Sequence, residues 1–128
     1  MENRHLSEEY TLLAKELIDT EPKLEHLRNA DISIAFLGSD LAKRSNGMVV
    51  YGQCEKVAAK YKWIIPFDFT ITLYEPNLQY RSTEALKIVL FHELLHVGIE
   101  DENHYVIPHD LEDFKYIVDK YGTDWIER

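Results

Sequence analysis

The chain has 128 residues, a net charge of −9 and an apolar fraction of 45%, enough for one domain with its own core and too little for two. That acidic balance argues against a nucleic-acid partner, because phosphate recognition needs clustered Lys and Arg. No run of eighteen apolar residues exists, so no membrane span is expected. The polar, acidic opening (residues 1–10) is unlike a secretory signal, and the lone Cys54 permits no internal disulfide; both point to a cytoplasmic protein.

In chain order, Ser7 is placed to cap a helix with Glu8 and Glu9 in its first turn. Leu6, Tyr10, Leu13, Ala14, Leu17 and Ile18 recur at helical spacing, predicting a helix to about Asp19. Pro22 ends it, and a short helical turn is expected over residues 23–28. His5 and His26 stand alone and are expected in solvent. Residues 31–37 alternate Ile32, Ile34 and Phe36 with smaller side chains and predict a strand.

Gly38-Ser39-Asp40 and Ser45-Asn46-Gly47 bracket a connection, Asn46-Gly47 being a turn signal. Residues 48–57 read as a second strand, with Gly52 at a bulge position and Cys54 as a packed thiol. Lys43, Arg44, Lys56, Lys60 and Lys62 read as solvated face and loop charges. Residues 67–74 form the cleanest strand pattern. Phe67, Phe69, Ile71 and Leu73 share one face; Asp68, Thr70 and Thr72 share the other. The half-polar face predicts an outer strand beside a cleft.

A helix over residues 83–97 follows, capped by Ser82 or Thr83 and stopped by Gly98. It carries the chain's one chemical motif, His92-Glu93-Leu94-Leu95-His96. Two His four residues apart lie one turn apart on one helix face, so both imidazoles can reach one ion. The Glu beside the first His is placed to hold an activated water. Chance would give this pattern in roughly 3% of shuffled chains of this composition. The setting strengthens it. Leu86, Ile88, Val89, Leu90, Phe91, Leu94, Leu95 and Val97 make the helix apolar nearly all round, and polar groups buried there need compensation that a zinc ion supplies.

Residues 99–108 read as a loop or small hairpin. A final helix is expected over residues 109–121, with the stripe Leu111, Phe114, Ile117, Val118 and Tyr121. The whole is a single α+β domain over residues 1–128. Residues 1–30 form a helical scaffold, 31–75 a three- to four-stranded twisted sheet, 82–98 the motif helix and 109–121 a C-terminal helix.

A catalytic zinc takes three protein ligands and leaves one position open. The candidates for the third are His104, His109, Asp110 and Asp113, with Glu100, Asp101 and Glu102 less well placed because they follow Gly98 directly. His109 is preferred, since the entry of a helix fixes it, whereas His104 lies mid-loop. Asp110 and Asp113 either complement the helix dipole or accept the second N–H of a ligating His.

His92-Glu93-Leu94-Leu95-His96-Val97 with Pro108-His109-Asp110-Leu111-Glu112-Asp113-Phe114 resembles the putative phage metallopeptidases. More distantly it is similar to the small SprT-like and YgjP-like zinc proteases, although the gap from His96 to His109 is longer here. The resemblance extends over most of the chain from about Asp31. It implies a minimal zincin-like core, zinc on His92, His96 and His109, and Glu93 as general base.

In the expected mechanism zinc acidifies its bound water, and Glu93 takes the proton as that water attacks a peptide carbonyl, then passes it to the leaving amine. His104, Tyr105 and Tyr116 are candidates for a second oxyanion donor. The expected partner is a protein or peptide in extended form, paired along the strand at residues 67–74. Two alternatives stand beside this reading: a zinc-dependent hydrolase of a non-peptide amide, and a binding module whose zinc is structural and closed by a fourth protein ligand.

Overall fold

A computed structural model describes residues 1–101, 103–108, 120 and 121. The chain opens with a short strand, β1 (Arg4–Leu6), in a stretch whose polar sequence carries no strand period. Leu6 therefore leaves the helical stripe it was expected to join and is 64% exposed. Ser7 then caps α1 (Glu8–Thr20), its hydroxyl accepting the Tyr10 N–H at 3.2 Å. Tyr10, Ala14 and Leu17 of α1 turn to the core, while Glu8, Glu9 and Leu12 face water.

Pro22 opens a 3₁₀ turn (Pro22–Leu24) that runs into α2 (Glu25–Arg28), which buries Leu24 and Leu27. His5 and His26 are both exposed as expected, yet His26 is not idle: its Nε2–H donates to the Val97 carbonyl at 3.0 Å.

β2 (Ile34–Ser39) takes in Gly38 and Ser39, which the sequence assigned to a connection. β3 (Arg44–Ser45) and β4 (Met48–Val49) make a small hairpin. It is turned by Asn46 and Gly47 at φ 52° and 78°, left-handed values that Asn and Gly tolerate. The expected strand over residues 48–57 is thus two strands, β4 and then β5 (Gly52–Lys56). Gly52 marks a close approach in place of a bulge. A Cβ there would lie 3.1 Å from side-chain carbons of Glu93, Leu73 and Val89.

β6 (Phe69–Tyr74) completes a mixed four-stranded sheet in the order β1-β2-β6-β5, with β2 and β6 parallel and the other pairs antiparallel. The strand expected on the outside is therefore interior, and the edge is β5. The reason lies in its polar face. Arg4 Nη1 donates to Thr72 Oγ1 at 3.2 Å, and Tyr74 donates its hydroxyl proton to Gln53 Oε1 at 2.8 Å, so side chains cover that face in place of water. Thr72 and Tyr74 are both fully buried.

The motif helix is α3 (Thr83–Leu94), capped by Ser82, whose hydroxyl accepts the Ala85 N–H at 3.1 Å. It is shorter than expected. Leu95 still bonds back to Phe91, His96 N–H tightens to the Glu93 carbonyl at 3.1 Å, and the chain turns into β7 (Val97–Glu100). β7 pairs with β8 (Asn103–Val106) through a turn with Asp101 at φ 55°, so the hairpin alternative for residues 99–108 is the one adopted.

Gly98 is consequently a strand residue, not a helix stop. It is opposite Tyr105, whose ring would lie 2.6 Å from a Cβ at that position. α1 and α3 pack on each other and on the sheet face bearing Phe36, Phe69, Ile71 and Leu73. Of the expected C-terminal helix only Lys120 and Tyr121 are described, both helical. Lys120 Nζ reaches Glu21 at 2.8 Å and stands 5.6 Å from the Phe91 ring centroid. No described helix is long and apolar enough to cross a membrane.

Candidate active site

The end of α3, the edge strand β5 and the hairpin strand β8 enclose a pocket of about 220 Å³ lined by Gly52, Gln53, Cys54, His92, Glu93, His96 and Val106. Each wall has a local cause. α3 is buried nearly all round, so its last full turn delivers His92 and Glu93 into the interior of the molecule. Glu93 is 5% exposed and His96 8%. Gly52 has no Cβ, and the Glu93 side chain lies against it; a methyl group there would crowd the Glu93 Cγ. Gln53 is fixed from behind, its Oε1 accepting from both the Tyr74 hydroxyl and Lys43 Nζ.

The two histidines are held differently. The His92 ring is part of α3, with Nε2 3.9 Å from Glu93 Oε2. His96 stands just past the helix end and is clamped by Ile107. The Ile107 N–H donates to the His96 carbonyl at 2.6 Å, and the Ile107 carbonyl accepts from His96 Nδ1–H. That second bond fixes the tautomer, since a carbonyl can only accept, and it leaves the lone pair on Nε2. An Nδ1–H on a backbone carbonyl with Nε2 as donor atom is the usual arrangement of a metal-binding imidazole. The ring centroids of His92 and His96 are 5.2 Å apart and tilted by 65°.

Ile107 escapes sequence reasoning, because a lone Ile before Pro carries no signal for a backbone clamp. Gly52 was visible as an anomaly in a strand pattern, though not with its purpose.

Cys54 also lines the pocket, with its thiol partly buried. Burial, with Glu93 and Glu55 nearby, pushes it up to about 12, in keeping with its packing against the core. The other candidate residues lie elsewhere. His104 faces Asp68, Nδ1 to Oδ1 3.8 Å, and its ring is 5.8 Å from that of Phe69. Asp68 is held below the usual carboxylate range: burial acts to raise it, but bonds from Lys62 and the Ser33 N–H, with His104 nearby, outweigh that. Tyr105 lies over Gly98 and does not line the pocket. Glu100 and Asp101 sit at the far end of the hairpin. Glu102, His109, Asp110, Asp113 and Tyr116 lie outside the described residues.

A family model described as putative phage metallopeptidase matches residues 4–128. The chain belongs to that family. Comparison with curated proteins and with solved structures gave no match. Membership of this metallopeptidase family implies a hydrolase with a metal cofactor, which directs attention to the pocket's donors. Among the described residues no three His, Cys, Asp or Glu side chains gather closely enough to hold an ion. The described part of the donor set is two imidazoles, one with its tautomer fixed for ligation, beside a buried carboxylate. Imidazole pairs of this kind suit zinc and related divalent metals.

Proposed function

We propose that this metallopeptidase is a zinc-dependent enzyme of zincin-like architecture that hydrolyses peptide bonds in extended polypeptides, with Glu93 as general base. The observation that carries the reading is the Ile107 clamp: it holds His96 in the ligating tautomer one turn from His92 and next to a buried Glu93. His92 and His96 would hold the metal. His109 is proposed as the third ligand, supported by the chain passing His96 at Ile107, only two residues earlier, a span of at most about 7 Å between Cα atoms. Zinc bound there would supply Lewis acidity, which acidifies water and polarises a carbonyl.

The chain's own residues do the rest. Glu93, buried against Gly52 and beside both imidazoles, would take a proton from the attacking water. The same carboxyl then returns the proton to the leaving amine. β5 has a strand partner on one side only among the described residues, and a substrate strand entering the pocket between it and β8 would pair with the main-chain N–H and C=O groups of its other edge. That edge replaces the strand at residues 67–74 as the pairing site, because β6 is enclosed by β2 and β5.

Glu93→Gln should lower the rate of cleavage of an unfolded protein by about 10²–10⁴-fold while zinc content stays unchanged. Full activity in that variant would reject Glu93 as the base.

A further inference from the structure

Residues 56–66 run from the last residue of β5 towards β6. They carry three of the chain's fourteen basic side chains, Lys56, Lys60 and Lys62, and none of its twenty-three acidic ones. Of the acids on either side, Asp68 is bonded to Lys62 and to the Ser33 N–H, and Glu55 lies 3.5 Å from Arg4 Nη1, a guanidinium it shares with Glu2. Lys56 and Lys60 therefore stand on an exposed cationic stretch of a chain whose total charge is −9.

Beside them Tyr61, Trp63, Ile64 and Ile65 are 47%, 84%, 59% and 38% exposed. Single exposed apolar side chains are ordinary; four within five positions mark an interaction surface.

The position of this patch links it to the pocket. It begins where β5 leaves the pocket wall. Lys62, Asp68 and His104 then tie it to β8, whose Val106 lines the same pocket. A strand laid along the outer edge of β5 advances about 3.3 Å per residue, so two residues take it from Cys54 to Lys56 and onto the patch.

We propose that residues 56–66 are a substrate-docking site for an extended polypeptide segment in which apolar side chains alternate with acidic ones; this rests on the peptidase reading of the pocket. Trp63 and Ile64 receive the apolar side chains, and Lys56 and Lys60 receive the carboxylates. An anionic bilayer has related chemistry, but it presents a broad negative surface to the whole −9 charge of the protein. A peptide segment meets chiefly the local cationic field, within a Debye length of about 8 Å.

The test uses the full chain carrying Glu93→Gln and two fluorescein-labelled peptides, Gly-Ser-Glu-Leu-Glu-Phe-Glu-Ser-Gly and its counterpart with Lys for every Glu, read by anisotropy. The acidic peptide should bind at least about tenfold more tightly. Lys56→Glu with Lys60→Glu should reverse that preference, and Trp63→Ser with Ile64→Ser should weaken the acidic peptide while the fold, read by circular dichroism, is kept. Equal binding of both peptides, or binding unchanged by the loop variants, overturns the docking site. Sedimentation with phosphatidylcholine–phosphatidylglycerol vesicles that the lysine variants abolish, without peptide binding, overturns it in favour of a membrane. Loop-dependent peptide binding alongside a wild type that cleaves nothing supports the docking site and rejects the peptidase reading, so the two ideas fail separately.

Discussion

α1 and α3 are neighbouring helices of nearly equal length, and they are built on opposite plans. α1 buries one stripe, Tyr10, Ala14 and Leu17, and leaves Leu12 in water at 61% exposure. α3 buries Ala85, Ile88, Val89, Leu90, Phe91 and Leu94 around most of its circumference, and Glu93 with them. The contrast shows why the chemistry sits where it does. A carboxylate and two imidazoles on the outer face of α1 would be hydrated and close to their ordinary behaviour. At the end of α3, where His92 and Glu93 lie in its last turn and His96 just beyond it, they are largely removed from water, which strengthens the electrostatic interactions among them.

Three sets of substitutions probe that contrast, beyond the loss of activity expected for Glu93→Gln. The largest stability effect is expected for Phe91→Ala in α3, at about 3–5 kcal/mol, against less than about 0.5 kcal/mol for Leu12→Ala in α1. Urea unfolding of both variants reads the difference, and equal losses would remove the distinction between the helices.

Gly98→Ala tests the short helix end. The added methyl meets the Tyr105 ring, so about 1–3 kcal/mol should be lost, and most of it regained in Gly98→Ala with Tyr105→Ser. If position 98 were a helix stop, the second change would restore nothing. Among the changes expected to destabilise, the smallest effect falls at the caps. Ser7→Ala and Ser82→Ala should each cost about 1 kcal/mol, because each removes one bond to an N–H of the helix's first turn. Similar losses would show that the helices start alike and differ in what covers them.

The same contrast explains how much was legible in the sequence. α1 was readable because a one-sided stripe gives a clean period and Ser7 a clean start. α3 was readable from its apolar surround, but its end was not. Leu95, His96 and Val97 continue the apolar pattern, and only the pairing of Val97 with Val106 across the hairpin decides against helix. β6 was misplaced to the sheet edge because Thr70 and Thr72 look solvated. The side chain that covers Thr72 comes from Arg4, on a three-residue strand too short to show a period. The spacing of His92, Glu93 and His96 places them together, and all three line one pocket. The backbone clamp at Ile107 was not legible, because a carbonyl acceptor leaves no mark on residue identity.

Under the proposed function, His92 and His96 hold a zinc ion beside Glu93. The most direct test is the metal content of the purified chain by mass spectrometry, for wild type, Glu93→Gln and His96→Ala. About one zinc per chain is expected in the wild type and in Glu93→Gln, with loss in His96→Ala. Wild-type protein that takes up no zinc when offered it, or His96→Ala that keeps a full complement, would contradict the account.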